Sequence, residues 1–279
     1  DSEVENLLGK LRAIRHDLNQ ESKRIFDALV ILLDIANNKV TNELIQSKFR
    51  ALANLIENLP YSSKQVNVGL SDARSLPLAR DCIDFVVTSP PYINVFNYHQ
   101  NYRKSAEILG WDLLKIAKSE IGSNRANRGN RFYTVVQYCL DMADTLRELS
   151  RVAKDEARIV FVVGHESNVL GVPFYNADII EKIGVRANLF CRTLRQKREF
   201  KNKFGKVIRE EIINFSNLNN ETRKETIEQI ARNVAFDILK SGRYSVPSKN
   251  LASLEDAIDK VQDIGRTPTL DQRLDISAL

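Results

Sequence analysis

The sequence predicts an α/β fold with a mostly parallel sheet, an antiparallel closing strand and helical additions at both ends. Two apolar, β-rich runs, Ile83–Thr88 and residues 157–164, have the character of buried strands. An amphipathic helix, predicted over residues 133–153, lies between them along the chain. This alternation of strand and helix is typical of parallel sheets.

The first predicted domain, residues 1–60, is a helical segment. A break is expected at Asn37-Asn38, and a further helix over residues 42–58 ends before Pro60. The apolar residues of the first helix recur at helical spacing: Val4, Leu7, Leu8, Leu11, Ile14 and Leu18. Since no catalytic pattern occurs here, we interpret the segment as a helical hairpin that packs on a core or on a partner.

The second predicted domain, residues 61–218, contains both buried strands. The β-branched run 65–69 precedes a turn-rich stretch, and the strand Ile83–Thr88, expected to be covered on both faces, stops at two prolines. After residues 157–164 we expect a short helix over 178–183 and an antiparallel closing pair formed by 187–193 and 211–215. These elements form the predicted core.

The third predicted segment, residues 219–279, is a helical extension with a tail. A helix is expected over residues 220–240 and a short one near 253–262. The stretches around them are mixed and extended in character. We see no internal repeat.

Composition favours a globular protein with a polyanionic partner. The net charge is +5 and the pI is about 9.0. No apolar run approaches the roughly 18–20 residues of a membrane span, and no signal pattern opens the chain. Three cysteines and three histidines lack ligand-like spacing, so neither a metal site nor a disulfide framework is expected. Reduced thiols are typical of a cytoplasmic protein, which is our expected location.

The most informative motif is Ser89-Pro90-Pro91-Tyr92, at the end of the first predicted strand. Ligands of parallel α/β sheets bind beyond the carboxyl ends of the strands. Two prolines fix the backbone and remove two N–H donors, so that local carbonyls are left as acceptors. A hydroxyl and a fixed carbonyl can accept both hydrogens of an exocyclic NH2 group, and a tyrosine ring can stack on its base.

The run Thr88-Ser89-Pro90-Pro91-Tyr92 resembles the catalytic motif of the amino-group DNA methyltransferases, whose general form is (Asp/Asn/Ser)-Pro-Pro-(Tyr/Phe). The upstream residues 71–78 and the loop 164–173 are similar to segments of the same family. The resemblance covers roughly residues 65–215. It implies a Rossmann-like methyltransferase fold, S-adenosyl-L-methionine as methyl donor and double-stranded DNA as substrate.

The resemblance also implies roles for individual residues. Ser89 and the Pro90 carbonyl would accept the two hydrogens of the target amino group, Pro91 would stiffen the turn, and Tyr92 would stack on an extruded base. A serine in the first position favours cytosine N4 over adenine N6. The implied cofactor-binding residues are Asp72, Ala73 and Thr88. An Asx turn is an equally good explanation of Asp72.

One element of the family is missing from the sequence. The methionine-binding signature of these enzymes contains Gly-x-Gly, and none of the 11 glycines forms that pattern. We also find no acidic residue that would grip the ribose. The chain therefore resembles the target-base half of the site, and we expect a further segment, upstream by preference, or a second chain to complete the cofactor site.

Two basic stretches are candidate DNA contacts. Residues 118–131 predict a mobile polar loop, and residues 192–209 alternate basic residues with phenylalanines. A solvated charged face explains each stretch equally well. Residues 94–103 are rich in aromatic and amide side chains that could read bases or pack the turn. The candidate phosphate-binding residues are Arg125, Arg128, Arg131, Arg195, Lys197 and Arg198.

Our preferred function is thus a site-specific DNA methyltransferase of a restriction-modification type system. Two alternatives stay open. A non-catalytic DNA-binding or specificity subunit would explain the missing glycine-rich loop, although the intact Ser-Pro-Pro-Tyr motif argues against it. An RNA or protein-amide methyltransferase would share the turn, but that class more often has asparagine in place of Ser89.

Overall fold

The computed structural model describes residues 2–93, 100, 102–123, 127, 129–221 and 223–269, and it confirms the predicted α/β class. The described strands are β1 Ile83–Thr88, β2 Ala153–Gly164, β3 Ser167–Val169, β4 Val172–Phe174, β5 Phe190–Lys201 and β6 Val207–Asn217. The described α-helices are α1 Ser2–Asp17, α2 Gln20–Leu33, α3 Asn42–Glu57, α4 Arg103–Ile108, α5 Leu113–Ser119, α6 Tyr133–Val152, α7 Asn176–Arg186, α8 Lys224–Gly242 and α9 Leu251–Asp259.

The chain divides into two compact units. Unit 1 comprises Asp1–Leu70, Tyr98–Ala117 and Asp271–Leu279, and unit 2 comprises Ser71–Asn97 and Lys118–Leu270. Helices α8 and α9, which belong to the predicted extension after residue 218, lie in unit 2 together with the sheet.

Local signals explain the ends of the helices in unit 1. The side chain of Asn19 accepts the Ser22 N–H at the start of α2, and Thr41 accepts the Leu44 N–H at the start of α3. Asp34 ends α2 in the left-handed conformation. The predicted break at Asn37-Asn38 is confirmed, because both residues lie between α2 and α3.

The main sheet of unit 2 has the strand order β1-β2-β6-β5. β1 pairs with β2 in parallel, with Thr88 opposite Phe161. β2 pairs antiparallel with β6, and β6 pairs antiparallel with β5, so the predicted closing pair is confirmed and is longer than expected. Within the described main sheet, β1 and β2 thus form a parallel pair, and the other two pairings are antiparallel.

The first strand departs from the prediction on one face. We expected β1 to be covered on both faces, but Phe85 is 54% and Val87 is 63% exposed. In the described sheet β1 is an edge strand that pairs with β2 alone. On this face of the sheet, other residues of unit 2 therefore leave the side chains of Phe85 and Val87 exposed.

The hydrophobic core of unit 2 lies between the sheet and the helices α6, α7 and α8. α6 is almost wholly buried and follows the predicted helix closely, and Met142 and Leu146 in it are fully buried. Phe161 of β2 and Phe215 of β6 meet edge to face in the same core. Within the described residues, no helix is both long and apolar enough to cross a bilayer.

Candidate functional site

The Ser-Pro-Pro-Tyr turn lies at the carboxyl end of the parallel pair. β1 ends at Thr88, and the next residue, Ser89, is exposed, whereas Pro90 is buried. Ile93 is completely buried and anchors the far end of the turn in the core. The turn thus presents a hydroxyl at the sheet edge where ligands of parallel sheets bind.

Ser89 and Tyr92 converge on the same side of the turn. The Ser89 Oγ lies 3.5 Å from the Tyr92 hydroxyl, at the limit of a hydrogen bond. Tyr92 is half-buried and packs against the core with part of its ring. The structure therefore brings these two predicted site residues together.

Two glycines make room for Tyr92. A Cβ built on Gly164, the last residue of β2, would lie 3.0 Å from the Tyr92 ring. A Cβ on Gly122 would lie only 2.6 Å from the Tyr92 carbonyl oxygen, and Gly122 has a φ of +77°. The Tyr92 ring therefore lies against the backbone of Gly164, and the Tyr92 carbonyl lies against the backbone of Gly122. No signal in the sequence indicated either contact.

We expect the Gly122→Ala substitution to destabilise unit 2 by about 2–4 kcal/mol, since left-handed strain and a backbone clash add together. Urea denaturation measures the loss. The matched control is Gly110→Ala, where φ is +91° but nothing lies within 4 Å of the added Cβ. That variant should lose only about 1–2 kcal/mol. Equal losses in the two variants would contradict the proposed contact with Tyr92.

A buried tyrosine lies beside the turn. Tyr138 of α6 is fully buried, and burial, with contributions from Cys139 and Tyr92, raises its pKa well above the ordinary value. Its hydroxyl has no hydrogen-bond partner among the described residues. Burial therefore disfavours the charged phenolate. Its position on an apolar helix face gave no sign in the sequence that it borders the site.

The three predicted cofactor-binding residues, Asp72, Ala73 and Thr88, differ from one another in burial and contacts. Asp72 forms an Asx turn, in which its Oδ1 accepts the Arg74 N–H at 2.9 Å, and both of its oxygens bind the Arg74 guanidinium. Ala73 is exposed, and Thr88 is half-buried at the end of β1. The structural role of Asp72 is thus clear from its contacts. Its role in binding a cofactor, like those of Ala73 and Thr88, stays a prediction.

Arg74 is the centre of a buried polar network. Besides Asp72 it binds Asp141 at 2.9 Å and the carbonyls of Ser119, Thr267 and Pro268. Thr267 donates both its N–H and its hydroxyl to Asp141. Burial raises the pKa of Asp141 to about 6, although Arg74 and Thr267 act in the opposite direction. The network fastens the segment before β1 and the C-terminal segment to α6.

The long hairpin of β5 and β6 contains the second set of predicted DNA contacts. Arg195 lies within 2.6–3.1 Å of Asp178, Glu181 and Glu211. Burial would raise the pKa of Glu211, but hydrogen bonds from Arg195 and His165 lower it below the ordinary value. These ion pairs hold the hairpin on α7 through Asp178 and Glu181. The role of Arg195 in binding DNA stays a prediction.

Lys197 and Arg198 are both exposed on this hairpin. Arg198 pairs with Glu210 at 2.7 Å and lies over the Phe200 ring. Both line a charged cavity of about 430 Å³ at the end of β2. The other lining residues are His165, Glu166, Glu199, Arg209 and Glu210. Gly164, which lies against the Tyr92 ring, directly precedes His165 of the cavity lining.

The remaining candidates are only partly described. Arg125 and Arg128 lie outside the described residues, as do residues 94–99 and 101 of the aromatic and amide-rich run. Arg131 is half-buried just before α6, and its Nε is buried without a partner among the described residues. In the part of the chain that the structure describes, no three potential metal ligands cluster.

Comparison with known proteins yields distant similarities to methyltransferases. No family model matches the chain. The type II methyltransferase M.MjaII of Methanocaldococcus jannaschii is 25% identical over 118 residues, which are 42% of this chain and 22% of that protein. The chain thus spans about a fifth of the length of this curated relative.

Two solved structures overlap with part of the fold. A SAM-dependent methyltransferase from Methanosarcina mazei is 12% identical, with a TM-score of 0.34 over 64% of this chain and 80% of that one. An inferred DNA modification methylase from Thermus thermophilus, solved with S-adenosyl-L-methionine, is 17% identical, with a TM-score of 0.32 over 66% and 63% of the two chains.

Proposed function

We propose that this chain is the target-base half of an S-adenosyl-L-methionine-dependent DNA methyltransferase that acts on an exocyclic amino group. The observation that supports this proposal most directly is the convergence of Ser89 and Tyr92 at the carboxyl end of a parallel strand. The similarity to a type II methyltransferase points the same way.

The chain's own residues act by orientation. The Ser89 hydroxyl and the Pro90 carbonyl accept the two hydrogens of the target amine, and the half-buried Tyr92 ring stacks on its base. Holding both hydrogens out of the ring plane favours the pyramidal nitrogen that attack on a methyl group requires. A base inside a duplex cannot reach the turn, so it must be extruded at a cost of a few kcal/mol.

Two observations support a cofactor site that is completed from outside this chain's target-base half. Asp72 is engaged by Arg74 at both carboxylate oxygens, and the chain contains no Gly-x-Gly. The apolar face of β1, with Phe85 and Val87 exposed, would suit a covering element. We therefore propose that a further segment or a second chain completes the sheet beside β1 and supplies the cofactor contacts.

Duplex DNA is the proposed substrate. The net charge is +5. The turn between β5 and β6 lies at the end of the sheet where β1 and β2 have their carboxyl ends, which is also the end where Ser89 lies. A serine in the first motif position favours cytosine N4 ahead of adenine N6. The restriction-modification type of system is part of the same proposal.

Methyl incorporation from labelled S-adenosyl-L-methionine tests the function. The natural protein, purified with any chain that accompanies it, is incubated in parallel with duplex DNA, RNA and protein. We expect label in duplex DNA, and nuclease digestion should recover it as N4-methylcytosine.

Other products would change the conclusion. If only RNA or only protein is labelled, that molecule is the substrate and the proposal of a DNA substrate is wrong. Absence of label in all three, together with no heat of cofactor binding in calorimetry, would favour a non-catalytic DNA-binding subunit instead.

A further inference from the structure

The end of the β5–β6 hairpin projects beyond the rest of the sheet. The last residue of β2, Gly164, pairs with Glu210, whereas β5 and β6 continue to pair as far as Lys201 and Val207. We call residues 198–209 the basic arm. Its three outermost residue pairs extend roughly 10 Å past β2, at about 3.4 Å per residue.

The basic arm points to the same side as the Ser-Pro-Pro-Tyr turn. β1 and β2 are parallel, so both of their carboxyl ends lie at one edge of the sheet. β6 runs antiparallel to β2, and its first residues therefore lie at that edge. With neighbouring strands about 4.8 Å apart, the arm starts roughly 10 Å from β1.

A rigid turn holds an exposed phenylalanine at the tip of the arm. The Asn202 side chain accepts the N–H groups of Phe204 and Lys206 at 2.9 and 3.0 Å. Gly205 adopts a φ of +75° and donates its N–H to the Asn202 carbonyl. Phe204 is 80% exposed. The turn thus fixes an aromatic ring in solvent instead of folding it back on the arm.

Positive charge surrounds this ring. The arm contains five basic residues and one acidic residue, Glu199, which pairs with Arg209. Lys203 lies 5.0 Å from the centre of the Phe204 ring. No ion pair to Lys201, Lys203 or Lys206 occurs in the described part of the chain. These three amines are therefore available to an external anion.

We propose that the tip of the basic arm inserts Phe204 into the base stack of duplex DNA, where it fills the gap left by the extruded base. Lys201, Lys203 and Lys206 bind the flanking phosphates. This inference rests on the proposed function, because it needs a DNA substrate. Apolar wedges between base steps are an established way to hold a disturbed duplex. An exposed aromatic ring surrounded by lysines fits a polyanion with stacked bases better than it fits a neutral apolar surface.

Binding to two short synthetic duplexes tests the wedge. The duplexes have the same sequence, and one carries a single abasic site that leaves a permanent gap in the stack. We expect the full chain to bind the abasic duplex about tenfold more tightly, which is the scale of one base–aromatic stack. Phe204→Ala should abolish this preference, and Phe204→Trp should retain it.

Matched variants separate stacking from charge. Replacing Lys201, Lys203 and Lys206 by alanine should weaken binding to both duplexes alike and lower the salt dependence. Tyr244→Ala removes another exposed aromatic side chain, outside the arm, and should change neither affinity. Circular dichroism checks that each variant is folded.

The outcomes distinguish the wedge from the wider proposal. If Phe204→Ala keeps the preference for the abasic duplex, or if the wild type has none, the wedge is wrong while DNA as the substrate stands. If the wild type binds neither duplex, both the wedge and the DNA substrate are overturned.

Discussion

Replacing Ser89 by alanine is expected to lower methyl transfer to DNA by about 100-fold, the loss typical of removing one positioned polar group from an active site. Ser89 is exposed just after β1, and its hydroxyl lies 3.5 Å from the Tyr92 hydroxyl, at the limit of a hydrogen bond. The substitution should therefore change the stability little. Single-turnover rates with saturating DNA measure the chemical step, and thermal melting checks the fold.

Two further variants sharpen this result. Ser89→Asn keeps an acceptor oxygen in a position where the methyltransferase motif that this turn resembles allows asparagine, and it should retain a measurable part of the rate. Ser71→Ala removes an exposed serine elsewhere in the same unit and should have no effect. A Ser89→Ala variant that methylates DNA at the wild-type rate would remove the turn from the mechanism.

Loss of the Arg74 side chain is expected to be strongly destabilising. Arg74→Ala leaves two buried carboxylates, Asp72 and Asp141, without their cation, and breaking a buried ion pair costs about 3–5 kcal/mol. For a chain of this size we expect the melting temperature to fall by roughly 6–15 °C. Differential scanning calorimetry measures the shift.

A surface ion pair is the control for this prediction. Arg80 pairs with Glu221 at 2.9 Å, and both side chains are largely exposed. Arg80→Ala should cost at most about 1 kcal/mol. If Arg74→Ala and Arg80→Ala have the same melting temperature, the Arg74 network contributes no more stability than a solvated ion pair does. Our account of how the segment before β1 is held would then be wrong.

Much of the fold could be predicted because the signals were local. The run Ile83–Thr88 and the helix α6 have the composition and the periodicity of the elements they form. The exposure of Phe85 and Val87 could not be foreseen, because an apolar run looks the same whether or not its neighbours are present. Burial is decided by partners distant in sequence, and single-sequence patterns do not contain them.

In the candidate site, too, local features could be predicted from the sequence and contacts between distant residues could not. Ser89 and Tyr92 belong to one short motif, and their convergence follows from the rigid turn between them. The carboxylates that pair with Arg195 belong to α7 and β6. The basic sequence around Arg195 therefore could not predict these ion pairs. The approach of Gly164 to Tyr92 likewise depends on the register of β1 against β2.

The open side of β1 has a consequence for handling the protein. A strand whose outer N–H and C=O groups lack a neighbour in the described sheet is a template on which any extended chain can add itself. The bare Phe85 and Val87 side chains make that addition more favourable. If the proposed segment or second chain pairs with β1, it would also protect the chain from aggregation, so solubility and activity should be gained together when it is added.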